Sequence, residues 1–240
     1  MQLSNRLLAV ASLVTLGNRV ADVGCDHAYT SIYLTENKIA PKIIAMDVNQ
    51  GPIDRAKENI IKYGFEDCID VRRSNGLEKL QSGEVETILI AGMGGGLIIQ
   101  ILSEQMEIVQ SVKELILQPQ SDIHRVRYML SENNFTITDE NMLKEDGKYY
   151  VIMKAEPRHL VKDDSKYTLS SKEHYYFGRL LLEQQKAILS EFLLLEKGVC
   201  ENIIHNLAAE QTENSSHRKK ELIEKIELIQ CGLGYYKPIE

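Results

Sequence analysis

Arg19-Val20-Ala21-Asp22-Val23-Gly24-Cys25-Asp26-His27-Ala28, answered by Ile43-Ile44-Ala45-Met46-Asp47, is the pair of segments that decides the fold. The first reads as a buried strand, a tight turn through Gly24 and the start of a helix. The second is a short apolar run that ends in a carboxylate about 20 residues after the turn, the spacing of a doubly wound sheet holding a nucleoside. In that pattern the turn permits close approach and the acid takes the ribose hydroxyls. A dinucleotide site carries several glycines so that backbone and helix can close on a pyrophosphate. Here Asp26 and Ala28 follow a single glycine, and a carboxylate aimed at a pyrophosphate would repel it. A carboxylate beside a sulfonium or an amino group is attractive, so the turn implies S-adenosylmethionine (SAM) rather than NAD.

Working outward, Val20–Val23, Lys42–Met46, Ile69–Arg72, Thr87–Ala91 and Glu114–Leu117 are strand candidates separated by helical stretches at Pro52–Tyr63, Gly95–Gln110 and Ser121–Asn133. Pro52 suits a first helical turn, and Ser121-Asp122 an N-cap. Phe135–Glu140 and Tyr149–Ala155 flank a turn at residues 144–148, which predicts a closing hairpin. Five strands with crossovers and then a hairpin give a mostly parallel sheet with an antiparallel edge, the class I Rossmann-like methyltransferase arrangement.

A polar connector around 156–169 divides the chain into a catalytic domain, 1–158, and a helical domain, 159–240. Leu181, Ile188, Phe192, Leu195, Val199, Ile203 and Leu207 recur three, four or seven apart, predicting a helix with one apolar stripe. Asn214-Ser215-Ser216 breaks it, and Leu222, Ile226 and Ile229 begin a second helix. The two should fold back as an antiparallel, coiled-coil-like hairpin, serving either to close the structure or as an arm that grips a large substrate.

Composition narrows the classes. With 43% hydrophobic and 26% charged residues the chain reads as globular. No run of 18 apolar residues predicts a membrane span, and Leu7 to Leu16 reads as an amphipathic helix rather than a signal peptide. The four cysteines form no Cys-x-x-Cys pair, so reduced thiols in the cytoplasm and no metal site are expected. A net charge of −7 weighs against nucleic acid, but Arg72-Arg73, Arg125 with Arg127, Arg158-His159 with Lys162, and Arg218-Lys219-Lys220 are basic clusters. A monomer is expected, with a dimer through the apolar stripe left open.

The candidate residues follow the strand ends. Asp22 would orient the turn or hold the methionine amino group, and its alternative is to cap the turn. Asp26 would accept from a cofactor amine or cap the helix near Ala28, and Cys25 and His27 belong to the same turn. Asp47, with Val48 after it, would take the ribose hydroxyls. Asn75, Gly76 and Leu77 would meet the adenine ring. Ala91-Gly92-Met93-Gly94-Gly95-Gly96 places four glycines in five positions, exposing backbone to a ligand. Leu117-Gln118-Pro119-Gln120 ends the fifth strand at the same crevice, where Gln118, Pro119 and Gln120 would read substrate. After the fourth strand there is neither the polar residue-Pro-Pro-aromatic segment of amino-directed adenine methyltransferases nor a cysteine nucleophile. An acceptor that is already nucleophilic, such as a ring nitrogen, fits best.

Asp22-Val23-Gly24-Cys25-Asp26-His27-Ala28-Tyr29, Ala91-Gly92-Met93-Gly94-Gly95 and Leu117-Gln118-Pro119-Gln120, with a two-helix tail, resemble the bacterial TrmK family along essentially the whole chain. The resemblance implies SAM-dependent methylation of N1 of adenine 22 in tRNA. It also implies a cofactor pocket lined by Asp22, Gly24, Asp26, His27, Asp47, Asn75, Leu77, Gly92 and Met93. Asp26 and Met93 are the candidates for the transfer step, and Arg6 for a phosphate contact. Two rival readings stay open: a small-molecule methyltransferase with the tail as lid, and a non-catalytic SAM-binding regulator.

Overall fold

The computed structural model describes residues 2–207 and 213–236, and the chain divides into two compact units, Met1–Thr168 and Leu169–Glu240. The first unit runs α1 (Asn5–Ser12), β1 (Val20–Val23), α2 (Tyr29–Glu36), β2 (Ile43–Asp47), α3 (Gln50–Tyr63), β3 (Ile69–Arg73), β4 (Thr87–Met93), α4 (Gly95–Glu104), α5 (Met106–Ser111), β5 (Glu114–Pro119), α6 (Ile123–Glu132), β6 (Phe135–Glu145) and β7 (Lys148–Pro157). Two short 3-10 turns, Arg158–Leu160 and Asp164–Tyr167, close it.

The strands form one seven-stranded sheet in the order β3-β2-β1-β4-β5-β7-β6. β1 to β5 are parallel, and β7 and β6 add the antiparallel edge. Every residue of β1 and of β5 is buried, as expected of central parallel strands covered on both faces. The strand order reverses between β1 and β4, which opens a crevice beyond their carboxyl ends.

All seven expected strands are present, but several helix ends differ from the sequence reading. α1 starts at Asn5 because the Ser4 hydroxyl accepts from the Leu7 N–H, and it stops at Ser12, short of Leu16. The expected helix Gly95–Gln110 is two helices broken at Gln105, with no Gly or Pro to signal the break. Asp122 precedes α6 in a left-handed conformation and makes no capping bond. Ser121 instead accepts from the Gly95 N–H through its carbonyl, at 3.1 Å, and its hydroxyl. A Cβ at Gly95 would collide with that carbonyl, so close approach of the two loops requires glycine there.

Several charges of this unit are paired inside it. Glu114, at the amino end of β5, accepts from the Thr15 N–H and the hydroxyls of Thr15 and Thr87, and pairs with Lys154 at 2.8 Å. Arg127 on α6 is wholly buried and pairs with the equally buried Glu140 on β6 at 2.8 Å. Arg72 is held by Asp70 and Glu84. Arg127 and Arg72 are thus structural ions rather than members of exposed basic patches.

The second unit contains α7 (Lys172–Phe177), α8 (Arg179–Glu183), α9 (Ala187–Leu207) and α10 (Glu213–Gly234). α9 and α10 run antiparallel, since Glu196 meets Lys225 while Leu193 packs beside Gly232. The buried side of α9 is Leu189, Leu193 and Cys200; Leu195 and Val199, expected in the stripe, are exposed, and Leu181 belongs to α8. Asn214-Ser215-Ser216 is the first turn of α10 rather than a break, with Ser215 buried ahead of Leu222 and Ile229.

Candidate active site

β1 delivers Asp22 to the crevice with its carboxylate 4% exposed. The Ser31 hydroxyl, from α2, donates to it at 2.6 Å. Burial pushes its pKa up to about 6; the Ser31 hydroxyl and N–H pull it down, and the charge of Asp47 adds to the rise.

Beyond β1 the turn is held by backbone bonds to the neighbouring strand. Both the Gly24 and Cys25 N–H groups donate to the Met46 carbonyl, at 2.8 and 3.0 Å. Three residues of the turn take positive φ: Gly24 at 76°, Asp26 at 45° and Ala28 at 56°. For Asp26 and Ala28 this conformation is unfavourable by about 1–2 kcal/mol each. Gly24 is required for another reason as well: the Met93 thioether methyl lies where a Cβ would stand. Met93 therefore joins the β1 and β4 loops. Cys25 is buried, and burial with the charges of Asp22, Asp47 and Asp26 drives its thiol pKa far up, so it stays protonated and inert.

A cavity of about 270 Å³ opens here, lined by Arg6, Leu7, Asp22, Gly24, Cys25, Asp26, His27, Tyr29, Thr30, Leu89, Ala91, Gly92 and Gln120. Its carboxylates, Asp22 and Asp26, share it with the guanidinium of Arg6. Asp26 does not cap α2; it pairs with Arg55 of α3 at 2.9 Å and lies 3.6 Å from the His27 ring. His27 stacks on Tyr29, the first residue of α2, with centroids 5.2 Å apart and planes 6° from parallel.

The fifth-strand segment divides by depth. Gln120 lines the cavity, whereas Gln118 is wholly buried. The Gln118 side-chain oxygen accepts from Arg6 Nη1 at 2.7 Å, and the Arg6 guanidinium also lies 5.5 Å over the Tyr150 ring. Gln118 thus reaches the cavity only through Arg6, and Pro119, also buried, ends β5.

The remaining sequence-designated residues gather at the ends of β2 and β3, next to this cavity's strand but outside its lining. Asp47 Oδ1 accepts from the Asn49 N–H at 2.9 Å, and the Asp47 carbonyl accepts from the Ser74 N–H, which joins the two loops. Val48 is exposed, and its carbonyl accepts from Arg73. Asn75 donates to Glu78 in its own turn, Gly76 abuts Ile101, and Leu77 is buried. Leu7, Thr30 and Leu89 carry no functional reading in the sequence, and Tyr29 and Ala91 enter it only as members of longer motifs. An aromatic directly after the Gly-Cys-Asp-His-Ala turn was a usable signal for Tyr29; the apolar wall residues carried none.

Residues 3–153 match the family model described as a methyltransferase domain. Fold and crevice are those of that class. The chain is 33% identical over 230 residues, 95% of this chain and 96% of the relative, to the tRNA (adenine(22)-N(1))-methyltransferase of Bacillus subtilis. It belongs to that family, TrmK. Among solved structures it is similar to an uncharacterized protein of Listeria monocytogenes, with a TM-score of 0.90 at 36% identity over 97% of this chain and all of the other. A second is a putative tRNA (m1A22) methyltransferase of Streptococcus pneumoniae in complex with S-adenosyl-L-methionine, with a TM-score of 0.84 at 32% identity over 97% of this chain and 100% of that one.

Proposed function

We propose that this protein transfers a methyl group from SAM to N1 of adenine 22 in tRNA, as a cytoplasmic enzyme. The observation that carries the reading is the cavity at the switch point between β1 and β4, where exposed backbone and two carboxylates face one small volume. Family membership supplies the base and its position.

The residues fit the cofactor. SAM, when bound, supplies an electrophilic methyl group on a positively charged sulfur. Asp22 suits its amino group, because a buried carboxylate attracts a cation strongly once ionised. Gly92 lines the cavity and brings backbone to it, and Asp47 stands at the end of β2, where the ribose hydroxyls fall in this fold. The adenosine end then runs toward Val48, Asn75 and Leu77.

N1 of adenine holds an in-plane lone pair, so no proton has to leave before attack. The protein's contribution is then alignment of N1 with the methyl carbon, and Asp26 and Met93 stand at the loops that meet there. The product base is cationic, and Asp26 is suited to stabilise the growing charge. In paired RNA the base must first be exposed, at a few kcal/mol, which contacts to the rest of the tRNA offset. Arg6, fixed by Gln118 and Tyr150, is placed to take a phosphate. Lys219 and Lys220, exposed on α10, are candidates for backbone contacts farther along the tRNA.

Methyl transfer from labelled SAM to unmodified tRNA, followed by nucleoside analysis, tests the proposal. N1-methyladenosine is the expected product, lost when adenine 22 is replaced. SAM binding without any label in RNA would overturn it in favour of a small-molecule substrate or a regulatory role.

A further inference from the structure

Two side chains of α3 reach the turn after β1. Asn59 Nδ2 donates to the His27 carbonyl at 3.0 Å, and Arg55, one helical turn earlier, binds the Asp26 carboxylate at 2.9 Å. These are consecutive residues of the turn, flanked by the positive-φ positions Gly24 and Ala28. Such a backbone persists only where its surroundings over-determine it. The Met46 carbonyl fixes the turn's first half, and within its second half the Ala28 N–H donates to the Cys25 carbonyl at 2.7 Å. Asn59 and Arg55 add a hold from outside the turn, on the His27 carbonyl and the Asp26 carboxylate.

The same helix begins at the other end of the site. Its N-cap is Asn49, whose N–H donates to Asp47. From Asn49 to Asn59 is about 15 Å along the axis. The geometry points to Arg55 and Asn59 as positioning residues that set the Asp26–His27 turn for SAM, with α3 tying the ribose-side carboxylate to the methionine-side loop. This rests on the SAM-dependent reading given above. Asn59 orients a carbonyl and so shapes the backbone, whereas Arg55 aims the Asp26 side chain along the cavity rim.

Calorimetric titration of SAM, paired with separate KM values for SAM and tRNA, tests this. Asn59→Ala is expected to weaken SAM binding about fivefold, the size of one hydrogen bond, with the KM for tRNA unchanged. Arg55→Ala is expected to weaken it about threefold and lower kcat, and Arg55→Lys to restore most of the loss, because an ammonium still attracts Asp26. Arg55 is half exposed, so its variants should fold even if Asn59→Ala does not. Unchanged SAM affinity in both alanine variants would overturn the assignment. So would a raised KM for tRNA at unchanged SAM affinity, which would make Arg55 an RNA contact. Wild-type protein that takes up no SAM would instead sink the parent reading.

Discussion

Glu114 and Asp22 are buried carboxylates of the same sheet, 1% and 4% exposed, and they have been treated in opposite ways. At the amino end of β5, burial alone would raise the pKa of Glu114, but Lys154 and the hydroxyls of Thr15 and Thr87 hold it below the usual carboxylate value. At the carboxyl end of β1, Asp22 has one serine as its partner, and its pKa is raised to about 6. The first group is compensated within the fold. The second is left under-compensated at the crevice, which on the proposed reading lets the cofactor's cationic amino group complete it.

The largest break in that comparison comes from removing compensation at the structural end. Glu114→Ala would leave Lys154 facing a buried void, and truncating one partner of a buried pair is destabilising by about 3–5 kcal/mol. Urea unfolding should show that loss with no change in SAM affinity of the folded protein. The pH dependence has a definite sign. Because the folded pKa is depressed, the carboxylate stabilises above its unfolded value, and that contribution fades as pH falls through the folded one. Glu114→Gln should flatten this acid limb.

Asp22→Asn should do the reverse. Its folded pKa of about 6 exceeds the ordinary aspartate value of 3.8, so the charged form is disfavoured by the fold. That penalty is absent below the lower value and complete above the higher, reaching about 3 kcal/mol at most. The variant should therefore be more stable than wild type to urea at pH 8 and equal to it at pH 3.5, while losing SAM affinity at least tenfold. In the wild type, SAM binding should weaken below pH 6 as Asp22 takes up a proton. A variant less stable at pH 8 would mean that Ser31 compensates Asp22 far better than its pKa implies.

The sequence made one end of this comparison far more visible than the other. Asp22, Gly24 and Asp47 announce themselves because strand, turn and acid recur at a fixed spacing, and all seven strands are legible in β-branched runs. The Glu114 network leaves no trace of that kind, since Thr15, Thr87 and Lys154 are brought together only by tertiary folding. Arg127 misled for the same reason: a basic residue beside Arg125 reads as surface until α6 is docked on β6. The stripe of α9 was displaced because Leu193, Leu194 and Leu195 are consecutive, and only packing against α10 decides which of them turns inward. Gln118 reads from the sequence as a substrate contact because the pattern gives its place near the strand end and not its depth.

The smallest expected effect sharpens the comparison at the rim of the cavity, where packing and recognition are hardest to separate. Tyr29 opens α2, stacks on His27 and leaves 42% of its surface in water. A ring so exposed adds little to stability, so Tyr29→Ala should unfold in urea within about 0.5 kcal/mol of wild type. On the proposed reading, in which the cavity receives the target adenine, a flat aromatic at its mouth is a stacking surface, and such stacking is worth about 1–3 kcal/mol per base. Tyr29→Ala should then lower kcat/KM for tRNA by about tenfold or more with SAM affinity unchanged, and Tyr29→Phe should keep activity within about twofold, because the face and not the hydroxyl is used. Loss of SAM affinity in Tyr29→Ala would move the ring to the cofactor's side of the cavity. Loss in Tyr29→Phe alone would make the hydroxyl, and hence a hydrogen bond to the base edge, the feature that matters.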